Sequence, residues 1–252
     1  MILYHKWENY DIISVPMYEV RDIGFSYRSK PVLRGVSFVV SPGEIVSIAG
    51  QNGAGKTTLL KVLANLAMPD SGNIFMEGAD ALQYPVKYRR QIGYMPEIPA
   101  LYEDMTVKGY LRYRAALKGE SDKRVRRRIG EAAEMCQITD FLKSGISSLS
   151  LGLKRRVALA DAILLRPRVL LLDDFLAGLD RTMREAAGSI LSAVAAFSCV
   201  ITTGHEIEEL ARWSTRILVL SDGVVASTIP AAGVARDEIV RRVDAALKGG
   251  AS

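Results

Sequence analysis

Cysteine and histidine are both scarce in this chain. Only Cys136 and Cys199 occur among 252 residues, with no Cys-x-x-Cys pair. A disulfide framework is therefore not expected, and a reducing compartment is the default setting. His5 and His205 are the only histidines, which argues against a histidine-built metal centre. No uninterrupted apolar run approaches the roughly 18–20 residues that cross a bilayer. The first eleven residues carry charge where a secretory signal would need an apolar stretch. These absences together predict a cytoplasmic protein. Glycine (21) and proline (9) stand near average, so collagen-like and low-complexity architectures are excluded. No internal repeat is visible.

What is present is core-forming material. Hydrophobic residues make up 49% and charged residues 24%, a balance that rules out a disordered chain and provides for a substantial core. The mean hydropathy of +0.12 fits a Leu-rich core or a surface that docks on a membrane partner, and does not choose between them. Lys plus Arg exceed Asp plus Glu by 33 to 28, a formal +5. The basic residues gather at Arg89–Arg90, at Lys123–Arg128 and at Lys154–Arg156, without the interleaved aromatics of a base-stacking surface. No nucleic-acid partner is expected. The Lys123–Arg128 run reads as a solvated helix face or as a binding patch.

Pattern divides the chain into an α/β core and a helical insert. Residues 1–16 read as an N-terminal extension. Alternation from Met17 to Ile23, the stretch Leu33–Val40 and the short β-branched run Glu44–Ala49 predict strands, the last of them buried and parallel. Helical periodicity covers Thr57–Asn65. From about 96 to 165 the apolar spacing is helical, as at Val107, Tyr110, Leu111 and Leu117. Strands return at Val169–Leu172 and Cys199–Thr203. Ile217–Leu220 and Val224–Ala226 flank Ser221-Asp222-Gly223, a hairpin signal. The core is thus expected at about 17–95 and 166–228 of one 17–228 domain. A helix at Asp237–Leu247 and a tail complete 229–252.

Gly50-Gln51-Asn52-Gly53-Ala54-Gly55-Lys56-Thr57, followed by Thr58, matches the phosphate-loop pattern G-x-x-x-x-G-K-[ST]. It sits between a predicted strand and a predicted helix, the context that the chemistry requires. Glycines let successive N–H groups turn inward as an anion nest, and the helix N-terminus adds positive potential. Lys56 would reach the β- and γ-phosphates, and the Thr57 hydroxyl would ligate Mg²⁺. Such a site needs a carboxylate at the tip of a neighbouring strand. Asp173, after the apolar run Val169–Leu172, supplies it. Alone this would be weak, since strands often end in Asp as a turn residue.

At this point the chain resembles the nucleotide-binding subunit of ABC transporters over about residues 17–228. The resemblance implies a P-loop NTPase core of mostly parallel sheet with an antiparallel β edge and an inserted helical subdomain. It assigns Tyr27 to adenine stacking, the alternative being a strand aromatic that packs in the core. It sets Glu97 at the glutamine-loop position, as catalytic residue and Mg²⁺ ligand. Leu149-Ser150-Leu151-Gly152-Leu153 stands at the signature that covers the partner subunit's ATP. Gly178-Leu179-Asp180 stands at the dimer loop, and His205 at the switch histidine. ATP and Mg²⁺, a homo- or heterodimer, a separate transmembrane permease, and a peripheral place on the inner face of the cell membrane are implied. Ile98, Pro99, Ala100, Leu101 and Tyr102 would face the permease, or else pack on the chain's own helices.

The departures from the family carry information. Glu97 replaces Gln, and Pro96-Glu97 resembles a branch of exporter ATPases that includes gliding-motility-type and multidrug-type subunits. The signature lacks its first Gly (Leu151) and its Gln (Leu153) but keeps Ser150 and Gly152. Asp174 stands where the family has its general-base Glu, about 1.5 Å shorter by one C–C bond. Slow hydrolysis is expected, with ATP and Mg²⁺ binding intact. The leading reading is the ATPase subunit of an exporter. The rival is a regulatory clamp that binds ATP with little turnover. A DNA-repair or translation ATPase would need tandem cassettes or long coiled coils.

Overall fold

The computed structural model describes residues 17–179 and 181–249. The expected N-terminal extension, Asp180 and residues 250–252 lie outside the described residues. In chain order the elements are β1 (Tyr18–Tyr27), β2 (Lys30–Val40), β3 (Ile45–Ala49), α1 (Lys56–Leu63), β4 (Ser71–Met76), β5 (Ala79–Asp80), α2 (Pro85–Arg90) and β6 (Ile92–Met95). The insert contributes α3 (Val107–Leu117), α4 (Asp122–Met135) and α5 (Leu151–Ile163), with 3₁₀ turns at Thr139–Phe141 and Ile146–Ser148. The core resumes with β7 (Val169–Leu172), α6 (Arg181–Ala195), β8 (Cys199–Thr203), α7 (Ile207–Trp213), β9 (Arg216–Ser221), β10 (Val224–Pro230) and α8 (Arg236–Gly249).

Two sheets share these strands. Six form the order β10-β9-β3-β8-β7-β6, parallel except for β10, which pairs antiparallel with β9. The other four, β2-β1-β4-β5, make an antiparallel sheet of their own. The antiparallel part is therefore larger than the sequence suggests. It arises because β1, β2 and β4 alternate buried and exposed side chains and can leave one face to solvent. The Asp-Gly hairpin signal is realised: Asp222 has φ 47 and Gly223 φ 79 between β9 and β10, left-handed at both central positions as a type I′ turn demands.

Strand β7 shows how burial on both faces organises the molecule. Its four residues are all buried. Val169 and Leu171 join the cluster that packs α1 (Leu59, Leu60, Leu63) between the two sheets. Leu170 and Leu172 face the opposite cluster with the insert helices and α6. A third cluster packs α7 and α8 on β3 and β9 through Leu210, Ile217, Val219, Ile239 and Val243. Helix α1 stops at Leu63, two residues before its apolar periodicity runs out, because Asn65 takes a left-handed φ of 53. The parallel strands β3, β7 and β8 all end on the same side, and the loops that follow them meet there. This is where α/β sheets collect ligands.

Candidate functional site

The loop from Gly50 to Gly55 leaves β3 and enters α1 at Lys56. Gly55 has φ 104, and a Cβ there would lie 3.0 Å from Leu33 Cδ2 and 3.2 Å from the Val32 carbonyl. Only glycine fits that turn. Lys56 is 8% exposed. Its ammonium donates to the carbonyls of Gly50 (2.7 Å) and Gln51 (3.0 Å). Burial pushes its pKa below the ordinary lysine range, and the carboxylates of Asp174, Asp173 and Glu97 oppose that push. The cation is thus held ready by weak neutral acceptors that an anion would outcompete.

Facing it, Asp173 sits at the tip of β7 and is 2% exposed. One of its oxygens, Oδ1, accepts from the hydroxyls of Thr203 (2.8 Å) and Thr57 (3.1 Å). The other, Oδ2, is sealed from solvent and has no hydrogen-bond partner among the described residues. Burial raises the Asp173 pKa; the Thr203 and Thr57 hydroxyls pull it down, Glu97 adds to the rise and Lys61 opposes it. A buried carboxylate oxygen with no donor is costly unless a cation comes to it. With the Thr57 hydroxyl alongside, the donor set is hard oxygen, the kind that magnesium takes. The residues present fit that ion.

Asp174 follows in a left-handed backbone, φ 43. Its N–H donates to Thr203 Oγ1 at 2.9 Å, and its carbonyl accepts from Arg155 at 2.6 Å. A cleft of about 350 Å³ brings together Tyr27, Asn52, Gly53, Gly55, Lys56, Thr57 and Thr58 with Glu97, Asp173, Asp174 and His205. Gly50, Gln51 and Ala54 do not line it: the first two hold Lys56 by their carbonyls, and Ala54 is buried. Tyr27, at the end of β1, is 50% exposed and meets Phe25 edge-on at 4.9 Å. Phe25 takes the core position and leaves the Tyr27 ring free on the cleft's rim.

Leu149–Leu153, Gly178 and Leu179 do not line this cleft. Ser150 caps the N-terminus of α5 and accepts from the Leu153 N–H at 3.3 Å. Leu151 projects, 64% exposed, while Leu149 and Leu179 are buried. In the loop after Glu97, Leu101 packs on the insert's core. Ile98 is 80% exposed, and Tyr102 lies edge-on to Tyr110 and Tyr113. The Lys123–Arg128 run lies on α4, where Arg124 pairs with Glu120 and Arg127 and Arg128 pair with Glu131, as a solvated helix face would.

Three residues of the site escape a motif reading. Thr203 and Val32 line the cleft, and Arg155 grips the Asp174 backbone from behind. Thr203 could have been found from its place two residues before His205 at a strand end. Arg155 is the middle member of the basic run Lys154–Arg156, and nothing in that run singles it out. Val32 gave no signal.

A phosphate loop between β3 and α1, an acid at the tip of β7 and a helical insert define an ABC-type P-loop ATPase cassette. The ABC transporter family model matches residues 33–177, more than half of the chain, and the chain belongs to that family as an ATP-binding subunit. It is 32% identical over 209 residues to the uncharacterized ABC transporter ATP-binding protein YxlF of Bacillus subtilis (strain 168), covering 83% of this chain and 69% of that one. It is 32% identical over 213 residues to the spermidine/putrescine import ATP-binding protein PotA of Legionella pneumophila (strain Philadelphia 1), covering 84% of this chain and 58% of the relative. Among solved structures, an ATP-binding subunit of an ABC transporter superposes with a TM-score of 0.81 at 29% identity, over 90% of this chain and 99% of the other. A dimeric bacterial ABC transporter cassette does so with 0.78 at 25% identity, over 86% and 100%. Cassettes of this family bind and hydrolyse ATP, work as dimers and pair with transmembrane permeases. Among the described residues no helix is long and apolar enough to cross a membrane.

Proposed function

We propose that this subunit hydrolyses ATP within a dimer to drive a separate transmembrane permease, from the inner face of the cell membrane and in the direction of export. The observation that carries the catalytic reading is the buried, unpartnered Oδ2 of Asp173, set beside Thr57 and Lys56. Tyr27 stacks on the adenine ring. Lys56 leaves the loop carbonyls for the β- and γ-phosphates, while the loop N–H groups hold the phosphate oxygens. Thr57, Asp173 and Glu97 would hold Mg²⁺, which would neutralise phosphate charge when bound. Asp174 accepts the proton of the attacking water, and His205 steadies the charge that grows on the γ-phosphate. Ser150 and Gly152 of the partner subunit's signature close over the same phosphate. Export is favoured by the Pro96-Glu97 resemblance; an import subunit stands among the relatives, so cargo and direction rest with the permease.

The second reading, a clamp with little turnover, is favoured by Asp174. A carboxylate displaced by about 1 Å can lose about a hundredfold in rate. The deciding experiment is Mg²⁺-dependent ATP hydrolysis by the purified protein, beside Asp174→Glu and a Lys56→Ala blank. Measurable turnover that Asp174→Glu raises at least tenfold, and that Lys56→Ala abolishes, is the expected result. Undetectable turnover in both wild type and Asp174→Glu, with ATP still bound, would establish the clamp instead.

A further inference from the structure

Helix α5 carries an arginine that is almost wholly buried, 4% exposed. Arg155 donates to the backbone carbonyl of Glu97 and to that of Asp174 at 2.6 Å, with a longer contact to the Phe175 carbonyl at 3.5 Å. A Cβ placed on Gly178 would lie 3.2 Å from Arg155 Cδ, so the Gly178 turn rests on its stem. Among the described residues it forms no ion pair. Burial pushes its guanidinium pKa down, and the Asp174, Glu97 and Asp173 carboxylates work against that. An apolar side chain of similar length would fill the same space without the cost of burying a charge. What the guanidinium adds is a rigid fork that holds separate carbonyls at once.

Those carbonyls belong to the segments that carry the chemistry. Asp174 has the left-handed φ of 43 that non-glycine residues rarely adopt. Both of its backbone polar groups are gripped, the N–H by Thr203 and the carbonyl by Arg155. The helix that carries Arg155 begins directly after Ser150, its N-cap, about one and a half turns away. We propose that Arg155 is a positioning residue that fixes the backbone of Asp174, and with it the aim of its short carboxylate, and couples that aim to the helix presenting Ser150. This rests on the reading of Asp174 as the hydrolytic base. Motion of the signature helix, which serves the partner's nucleotide, then re-aims the carboxylate that serves the subunit's own.

The test compares wild type, Arg155→Lys, Arg155→Met and Asp174→Asn for ATP turnover and for affinity toward a fluorescent ATP analogue. The expected result is a kcat lowered ten- to a hundredfold in both Arg155 variants, the range that a displacement of about 1 Å allows, with affinity changed less than about threefold. A lysine keeps the charge but has no fork, so it should not rescue. A purely structural role would lower kcat only in proportion to the folded, ATP-binding fraction, and that result, or an unchanged kcat, overturns the proposal. Turnover retained in Asp174→Asn removes the base assignment and the proposal together. Turnover lost in Asp174→Asn but normal in Arg155→Lys removes the proposal alone. Should both Arg155 variants fail to fold, hydrogen exchange on wild type decides. ATP should protect the peptides spanning 149–155 and 173–178 by the same factor, and protection of one without the other overturns the coupling.

Discussion

Replacing Asp173 by asparagine should make the empty protein more stable and the liganded protein less so. In wild type, Oδ2 of Asp173 is buried with no donor, while Oδ1 takes two hydroxyls. An unsatisfied buried acceptor costs about 1–3 kcal/mol. Asparagine removes the charge, the costlier part of that burial, and its oxygen can still accept from Thr203 and Thr57, while its NH₂ takes the unpartnered place of Oδ2 and keeps part of the cost. For a chain of this size each kcal/mol moves Tm by about 2–4 °C, so the nucleotide-free variant should melt higher, by at most about 12 °C. Ligand works the other way. Mg²⁺·ATP at a hundred times its Kd stabilises by about 2.7 kcal/mol, and the magnesium-dependent part of that gain should vanish in Asp173→Asn. Thermal melting of both proteins, with and without ATP, in Mg²⁺ or in chelator, gives both numbers. A nucleotide-free variant that melts below wild type would show that Asp173 is a structural anion and no waiting ligand. A magnesium-dependent shift that survives the substitution would remove it from the metal site.

The same pair of proteins carries a pH prediction. The folded-state pKa of Asp173 is raised, first by burial, so the folded state binds the extra proton and wild type gains stability as pH falls from its raised value toward the ordinary carboxylate range. The stability advantage of Asp173→Asn should therefore shrink over that window, and an advantage constant with pH refutes the assignment. Tyr27→Ala should weaken ATP binding by about 1 kcal/mol through lost stacking, about fivefold in Kd, with the melting temperature of the nucleotide-free protein almost unchanged because the ring is half exposed; a large loss of stability with normal affinity would return Tyr27 to the core. His205→Ala should slow turnover and leave ATP affinity intact, read from kcat and from equilibrium binding; normal turnover would take it out of the mechanism.

The parts of the site that sequence reveals are those whose chemistry is local. Gly50–Thr57 is contiguous, and its glycines are required by the turn that they make themselves. Asp173 is legible because four buried residues run straight into it. The second sheet was only partly legible. Alternation in β1 and β2 marks strands, but nothing in that alternation says whether they add to the parallel sheet or form their own. That depends on α1 filling the space between, a contact across the chain. The bonds that Thr203 and Arg155 make were not legible for the same reason. Thr203 lies 30 residues from Asp173, and Arg155 19 residues from Asp174, and each acts through a bond made only after β7, β8 and α5 are in place.

Two of the departures from the family pattern, the signature and Asp174, differ in what they remove. At the signature, the Ser150 oxygen accepts from the Leu153 N–H, which leaves its hydroxyl proton to give to a phosphate. The first N–H groups of α5 have no partner within the helix by construction. Leu151 and Leu153 therefore delete one amide side chain and add bulk, while the donors themselves persist. Asp174 is different, because under the proposed mechanism the other carboxylates of the cleft, Asp173 and Glu97, serve Mg²⁺ and neither is free to replace a base that falls short. In a symmetric dimer each composite site would combine both departures. With an unlike partner of ordinary motifs they would separate, one site holding Asp174 under a complete signature and the other a full-length base under Leu151 and Leu153. The second of these would be the faster under the proposed mechanism, since bulk at a closing surface slows assembly while a short base slows every turnover.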